Sequence, residues 1–432
     1  MSQKYTILKE EKVRYDGNII SIKPQKTVAI ALASNQSEKA VCTVKIGDDV
    51  KIGSLIGYID DNVYLPIYSS VSGKVIAFEE YQYCTLNKVQ HVIIENNFLD
   101  EKVPLFPKDV DYQNLSRQQL IEFTKKSGLV GMSGAGFATY GKYLSACDTL
   151  IINGCECESY LISDYVNVIN NCRDMLDGIL IMEKMAQTCN SYIVLKKSAT
   201  EEIEKVSQMI ESDKKYQHLH LYLIDDFYPC GWEKLLTEKI TGRTYNMYTT
   251  ECQVIVNNIS TAISLKQIFS QNMPVIEKLI TVAGNGIDNS AVIKARIGYR
   301  VKEILDEVGS RVPGSIIYCG GTMMGSVMED DNFYICSPYN GLIVMQPPHY
   351  IERVCDAQCH ECEDHCCCEL KVKDLLQACL HNDMSEAKKL RIVDCCECNI
   401  CSYVCTNHID VRQYIRDMKY KIIGEDNNEE SI

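Results

Sequence analysis

The sequence predicts an α/β multidomain protein made of four successive blocks. Three observations carry this. Residues 1–98 hold short runs of Val, Ile and Tyr alternating with polar residues between Gly turns. Residues 114–272 alternate short apolar runs with helical patterns. Residues 351–420 read as helical and hold more than half of the 23 cysteines. A chain of 432 residues has room for several separately cored domains.

In the first block, AVCTVKIGDDVKIGSLIGYI and PIYSSVSGKVIAF read as hairpins punctuated by glycine. The pattern resembles the barrel-sandwich hybrid of lipoyl and biotinyl carriers. No lysine occupies a carrier-type hairpin, so the expectation is a structural β-module without a swinging arm. The second block opens with LSRQQLIEFTKK, where Ser116 and Gln119 form a capping-box pattern. DTLIINGC reads as a buried strand ending in a turn, and YLISDYVNVINNCRDMLDGILIMEKMA as one long helix or a pair. SYIVLKK, LHLYLID and QVIVNN are further apolar runs separated by helical segments, which predicts a mostly parallel sheet. The third block, 273–345, returns to short β-runs with one helix, KEILDEV, and reads as a small β-grasp-like (SLBB-like) unit. The fourth block, 351–420, is helical, and the tail MKYKIIGEDNNEESI is expected to fray.

Composition narrows the function. A formal net charge of -14 argues against a nucleic-acid partner, because nothing offsets repulsion from phosphates. The opening MSQKYTILKEEKVRYD is polar, and no apolar run approaches a bilayer span. The expectation is a cytoplasmic protein, with any membrane association peripheral, at the inner face of the cell membrane. In a reducing compartment disulfides are disfavoured, so clustered cysteines point to metal or redox chemistry. The scattered Cys42, Cys84, Cys172, Cys189 and Cys252 read as small buried hydrophobes.

The clearest chemical signal is CCECNICSYVC. Cys395, Cys398, Cys401 and Cys405 give C-x2-C-x2-C-x3-C, the ferredoxin run that wraps backbone around a 4Fe–4S cubane, with the fourth cysteine serving the other cluster of a pair. Thr406 stands where Pro usually follows. Zinc ribbons use paired C-x2-C knuckles instead. Upstream, CDAQCHECEDHCCC supplies Cys359, Cys362 and Cys366 in the same spacing. Its first ligand is displaced by one residue, so either Cys355 or Asp356 completes the set; thiolate is the softer ligand for iron, which favours Cys355. Cys366 and Cys405 are expected to cross between clusters. Cys367, Cys368 and Cys396 have no slot in the spacing and read as bystanders. Between the runs, two short helices broken near Asn382 and Asp383 predict an α-helical ferredoxin.

The second candidate site is the glycine loop GLVGMSGAGFATYGKY, 128–143. Glycine lets backbone N–H groups approach a phosphate, though a glycine loop alone is weak. Three polar segments, NGCECESY, FYPCGWEK and VNNIST, adjoin predicted strands, and strand ends of an open α/β sheet are where nucleotides and flavins bind.

These segments resemble known ones. GMSGAGFATYGK resembles the flavin loop GxGGAGFPTxxK of the NADH-oxidising subunit of respiratory complex I. Closer still is the RnfC family: LIINGCECESYLISD resembles LIINxxECEPYITxD, FYPCGWEKLL resembles YPxGGEKxLI, and CGGTMMG resembles GGPMMG. The order is the same along nearly the whole chain, and the sequence looks most like a soluble offshoot associated with proline reductase. The resemblance implies that Gly131, Ser133, Gly134, Gly136 and Lys142 cradle the FMN phosphate and ribityl. It implies that Asn153, Tyr228, Asn257, Asn258 and Thr261 hold the flavin, and that Glu156, Glu158 and Glu233 line the flavin and nicotinamide site, with Phe137 near the nicotinamide. Ser133 and Trp232 replace glycines of the pattern, Ala138 and Ser159 replace prolines, and Cys155 stands where the complex I protein has aspartate.

A hydride carries two electrons and a 4Fe–4S cluster accepts one, so a flavin belongs between them. The implied path runs from NADH through FMN and two 4Fe–4S clusters to a redox partner protein, either membrane Rnf-type subunits or a soluble reductase such as proline reductase. The eight histidines form no hydrolytic motif. The alternatives are a flavin-free iron–sulfur relay or docking protein and, third, a cobalamin reductase sharing the motifs.

Overall fold

The computed structural model describes residues 6–429 other than 10, 11, 62, 108–110, 348–353 and 357. Strands between Thr27 and Asn96 form two antiparallel sheets. One joins Thr27–Ala31, Lys88–Asn96, Gly73–Gln82 and Asp49–Val50, in that order. The other joins Ala40–Cys42, Leu55–Asp60 and Tyr64–Tyr68. Alternation along the strands turns Val28, Ile30, Val75, Val92 and Ile94 inward.

The third block builds a six-stranded sheet in the order Ile19–Ser21, Ala291–Arg296, Glu277–Ala283, Gly341–Met345, Ile316–Cys319, Ser326–Met328. Its edge strand, Ile19–Ser21, comes from the first block and pairs in parallel with Ala291–Arg296. A three-residue strand is too short to show a period, so its sequence does not announce a partner so far along the chain. Helix Val301–Val308 buries Val301, Ile304, Leu305 and Val308, one face at helical spacing, in the core that also holds Val28, Ile30 and Val92. The first and third blocks therefore share one hydrophobic core.

The second block is a parallel four-stranded sheet in the order His220–Ile224, Ser191–Lys196, Thr149–Asn153, Val254–Asn258. Two of its apolar runs, LIIN and VIVNN, do not alternate, because helices bury both faces of a parallel sheet. Helix Arg117–Ser127 starts on the Ser116–Gln119 capping box and ends at left-handed Gly128. Ser163–Ala186 is two helical stretches joined across a kink at Asn171, whose backbone leaves the helical region. It packs on Ile259–Gln271 so closely that a Cβ on Gly178 would overlap the Ala262 carbonyl.

The C-terminal block holds helices Glu361–Asp364, Val372–Leu380, Met384–Lys389, Ile400–Tyr403 and Val411–Glu429. Asp383 caps the third of these by accepting from the Glu386 N–H. The tail expected to fray is helix as far as Glu429: Ile415, Met418 and Ile422 recur at helical spacing and are buried against Leu375, Leu376 and Ile392, which holds the segment up to Ile422 in place. Among the described residues no helix is long and apolar enough to cross a membrane.

Candidate functional site

The strands Thr149–Asn153 and Val254–Asn258 are neighbours, and Asn153 pairs with Asn258 at their carboxyl ends. The chain's winding reverses between them, and such a switch point leaves a crevice beyond the strand ends. The polar segments leave the sheet here, and their amides tie the loops together. Asn153 donates to the Gly231 carbonyl (2.8 Å) and accepts from the Cys155 N–H (3.0 Å). Asn257 donates to the Tyr143 hydroxyl at 2.7 Å. Asn258 caps the helix Ile259–Gln271 through the Ser260 N–H and donates to Asp164 at 2.6 Å. The three asparagines predicted to hold a flavin thus use these side-chain atoms to fix the walls of the crevice.

The glycine loop lies against the first turn of that helix, where the Met132 N–H donates to Thr261 Oγ1 at 3.1 Å. The Gly131 N–H bonds to the Phe137 carbonyl (2.9 Å), closing the base of the loop. Gly134 and Gly136 have φ of +117° and +62°, which L-residues with side chains rarely adopt. Gly136 sits against Asn35 and Pro338, whereas a Cβ on Gly134 would meet open space. Ser133 is exposed, and half-buried Phe137 lays its ring against Gly141. Lys142 donates to the Val256 carbonyl at 2.6 Å and pairs with Glu233, the first residue of helix Glu233–Thr241, at 3.2 Å. Thr139, which sequence reasoning passed over, has a buried hydroxyl with no hydrogen-bond partner among the described residues. A glycine loop, a helix N-terminus, an ammonium and an unsatisfied hydroxyl are the kinds of group that hold the phosphate end of a flavin nucleotide, with the Gly131 and Gly134 N–H groups and the Lys142 ammonium bonded here within the chain.

The two acids of the first loop face inward. Glu156, at φ +20°, accepts from the N–H groups of Asp164 (2.9 Å) and Tyr165 (3.2 Å) and from Ser163, capping the helix Ser163–Ala186. Glu158 accepts from the N–H groups of Met323 (3.0 Å) and Met324 (2.7 Å) in the GGTMMG turn. Burial raises the Glu158 carboxyl above its usual range, against the pull of those two bonds. This pair, expected to line the flavin and nicotinamide site, consists of carboxylates already bonded to backbone amides. Lys12 and Asp164 are the charges that sequence reasoning missed, although Asp164 ends the family-like stretch LISD. Lys12 donates to the Leu161 carbonyl at 2.6 Å, and burial holds its pKa low. Asp164 bonds Ser260 and Asn258; burial first, then the charge of Glu156, raises it to about 6.

The Tyr228 hydroxyl donates to the Cys398 carbonyl at 2.9 Å, so this residue, predicted to hold the flavin, also joins the loop to the C-terminal block. Cys155, Cys157 and Cys230 gather beside this tyrosine, and the Cys155 and Cys157 thiols are the largest influences on that of Cys230. Cys157 in turn packs with Tyr228, Met323, Cys367, Cys396 and Cys398.

In the C-terminal block Cys355, Cys362, Cys366, Cys395, Cys401 and Cys405, together with Cys368 and Cys379, pack against one apolar core. The Cys362 thiol is pushed up to about 12 by burial, then by Glu363, Cys355, Cys359 and Cys405, which puts these four cysteines in one neighbourhood. Burial also raises Cys401, with Cys398 and Cys395 as its next largest influences. Backbone N–H groups of Leu370, Glu397 and Ile409 donate to the sulfurs of Cys366, Cys395 and Cys405 at 3.4–3.5 Å. Asp356 instead accepts from the Gln358 N–H at 2.8 Å. Thiols in two groups with N–H donors fit iron–sulfur clusters. Cys367, Cys368 and Cys396, which have no slot in the ferredoxin spacing, bring their sulfurs within 4.8 Å of one another. One expectation fails in part. Among the scattered cysteines Cys84 and Cys172 are buried, but Cys189 is exposed, and Cys42 and Cys252 are half-buried at the margins of hydrophobic cores.

Comparison with known proteins agrees with this geometry. Residues 124–267 match the Nuo51 FMN-binding domain, and residues 7–98 match the RnfC barrel sandwich hybrid domain. The chain is 30% identical over 69% of its length to a subunit of the proton-translocating ferredoxin:NAD(+) oxidoreductase complex of Clostridium ljungdahlii, and covers 66% of that protein. It is 31% identical over 66% of its length to the counterpart in the Na(+)-translocating complex of Acetobacterium woodii, again covering 66% of it. It is 24% identical over 90% of its length to a subunit of the ion-translocating oxidoreductase complex of Buchnera aphidicola, covering 83%. In fold it resembles a chain of an NAD+-reducing [NiFe]-hydrogenase, with a TM-score of 0.53 at 15% identity over 72% of this chain and 63% of that one. With both domains in the same order as its motifs predict, the chain belongs to the RnfC family.

Proposed function

We propose that this chain is an electron-transfer component of an NADH:acceptor oxidoreductase, with FMN at the switch-point crevice and two 4Fe–4S clusters in the C-terminal block. One observation carries the reading: the crevice wall and the cysteine loop are hydrogen-bonded directly, through Tyr228 and the Cys398 carbonyl. Bound FMN supplies exchange between two-electron and one-electron carriers. The chain's own residues position and shield. Gly131, Ser133, Gly134, Thr139 and Lys142 hold the phosphate end. Asn153, Asn257, Asn258 and Thr261 keep the loops in register, Glu156 and Glu158 lock the first loop, and Glu233 and Phe137 lie at the nicotinamide side. Cys355, Cys359, Cys362 and Cys405 ligate one cluster, and Cys366, Cys395, Cys398 and Cys401 the other; the neighbourhood of Cys362 supports Cys355 over Asp356.

The domains on this reading are residues 1–98, 114–272, 273–345 as a β-grasp unit, and 351–420 as an α-helical ferredoxin. The acceptor is a partner protein, either Rnf-type membrane subunits, which would hold the chain at the inner membrane face, or a soluble reductase. The competing reading, a flavin-free relay, is favoured by the asparagine side chains' prior engagements. Anaerobic purification with flavin, iron and sulfide quantified, followed by NADH addition, separates them. About eight irons with flavin and bleaching by NADH are expected. The same iron with neither flavin nor bleaching would leave the relay.

A further inference from the structure

Three cysteines stand outside the ferredoxin spacing, and the fold brings them together. Cys367 occupies the place after the fourth cysteine of the upstream run, where that run carries Pro. Cys368 follows it, and Cys396 lies between the first two cysteines of the downstream run. The Cys367 sulfur is 3.3 Å from that of Cys396 and 3.9 Å from that of Cys368, and all three lie within 4.8 Å of one another. A cubane spreads its thiolates over four separate irons. A single tetrahedral ion with metal–sulfur bonds of about 2.3 Å sets its sulfurs about 3.8 Å apart. The 3.3 and 3.9 Å separations lie on either side of that value, close enough for the three sulfurs to converge on one ion. They are too wide for a disulfide, which needs about 2.05 Å, and a disulfide would leave the third thiol over.

We propose that Cys367, Cys368 and Cys396 bind one zinc ion as three thiolates, separately from the clusters. Each thiol gives up its proton and gains a metal–sulfur bond, with no change of oxidation state. Cys398, 3.6 Å from Cys367, belongs to the downstream run and stays with its cluster, so a small exogenous ligand takes the fourth position. The ion ties the segment after Cys366 to the Cys395–Cys398 loop. Cys367 and Cys396 pack with Tyr228, Met323 and Ile400, so it also stiffens the face docked on the α/β block.

This inference rests on the cluster ligands assigned above. The test uses the full chain, purified anaerobically with zinc supplied, washed with chelator, and assayed for zinc, iron and sulfide. One zinc per chain is expected, lost from the Cys367→Ser/Cys368→Ser/Cys396→Ser variant while iron and sulfide hold. If that variant does not fold, Cys368→Ser alone should lower the zinc-edge X-ray absorption count from three sulfurs to two. Full iron and sulfide with no zinc would overturn the site and leave the cluster reading intact. Iron and sulfide falling together in the variant would assign the thiols to a cluster and overturn it. A Cys367–Cys396 disulfide in anaerobically trapped protein would overturn it as well. Zinc lost on mutation from a chain lacking iron and sulfide would support the site and overturn the cluster reading.

Discussion

Asp164 shows how one buried charge records its surroundings. It is 3% exposed, bonded to Ser260 and Asn258, and raised to about 6 by burial and then by Glu156. An acid whose pKa is higher folded than unfolded binds extra proton in the native state between the two values. Its contribution is therefore fully present below about pH 4 and is lost as pH rises through about 6. Asp164→Asn should flatten the fall in stability across that window, by up to about 3 kcal/mol, as read by urea denaturation at several pH values. An unchanged slope would mean that Asp164 stays ionised throughout. The Cys355 assignment is tested at the same scale. Cys355→Ser should remove about four irons, whereas Asp356→Ala, which loses only the turn bond to Gln358, should keep them. The reverse result in iron assays and EPR would make Asp356 the ligand.

Among the elements, the helix pair Ser163–Ala186 and Ile259–Gln271 presents the sharpest constraint. Gly→Ala in a helix interior ordinarily stabilises by up to about 1 kcal/mol. At Gly178 the added Cβ would overlap the Ala262 carbonyl, so Gly178→Ala should instead destabilise, by about 2 kcal/mol as overpacking does. A variant as stable as the parent in denaturant would show that the helices can separate without cost. Because Ile259–Gln271 also carries Thr261 under the glycine loop, the same variant should weaken flavin retention. Elements of this kind were legible: the capping box, the parallel strands and the helices flanking Asp383 follow from period and cap residues alone. The strand Ile19–Ser21 and the helical tail were not. The first depends on a partner distant in sequence, and the second on a core stripe spread through a polar segment.

Across the whole molecule, the GGTMMG turn is where three blocks meet. Glu158 of the α/β block holds the Met323 and Met324 amides. Arg412 of the last helix donates to the Met323 carbonyl at 2.8 Å, and Tyr228 reaches the Cys398 carbonyl beside it. Replacing Tyr228 with Phe leaves a buried carbonyl without this donor, at a cost of about 1–3 kcal/mol. Tyr228→Phe and Arg412→Met should each speed hydrogen exchange at Ile400–Tyr403 while the distant sheet Thr27–Ala31/Lys88–Asn96 stays protected. Equal exchange in parent and variants would mean that apolar packing alone holds the C-terminal block.

The sequence by itself determined the local chemistry: which cysteines keep ferredoxin spacing, where the glycine loop lies, and that apolar runs alternating with helices make a parallel sheet. These follow from period, spacing and side-chain type, which act over a few residues. Only the tertiary structure decided what depends on distant segments meeting. It turned Glu156 and Glu158 onto backbone amides and pointed Tyr228 at the cysteine loop. It also gathered Cys367, Cys368 and Cys396 into one group, because buried donors and acceptors must find partners wherever the fold places them.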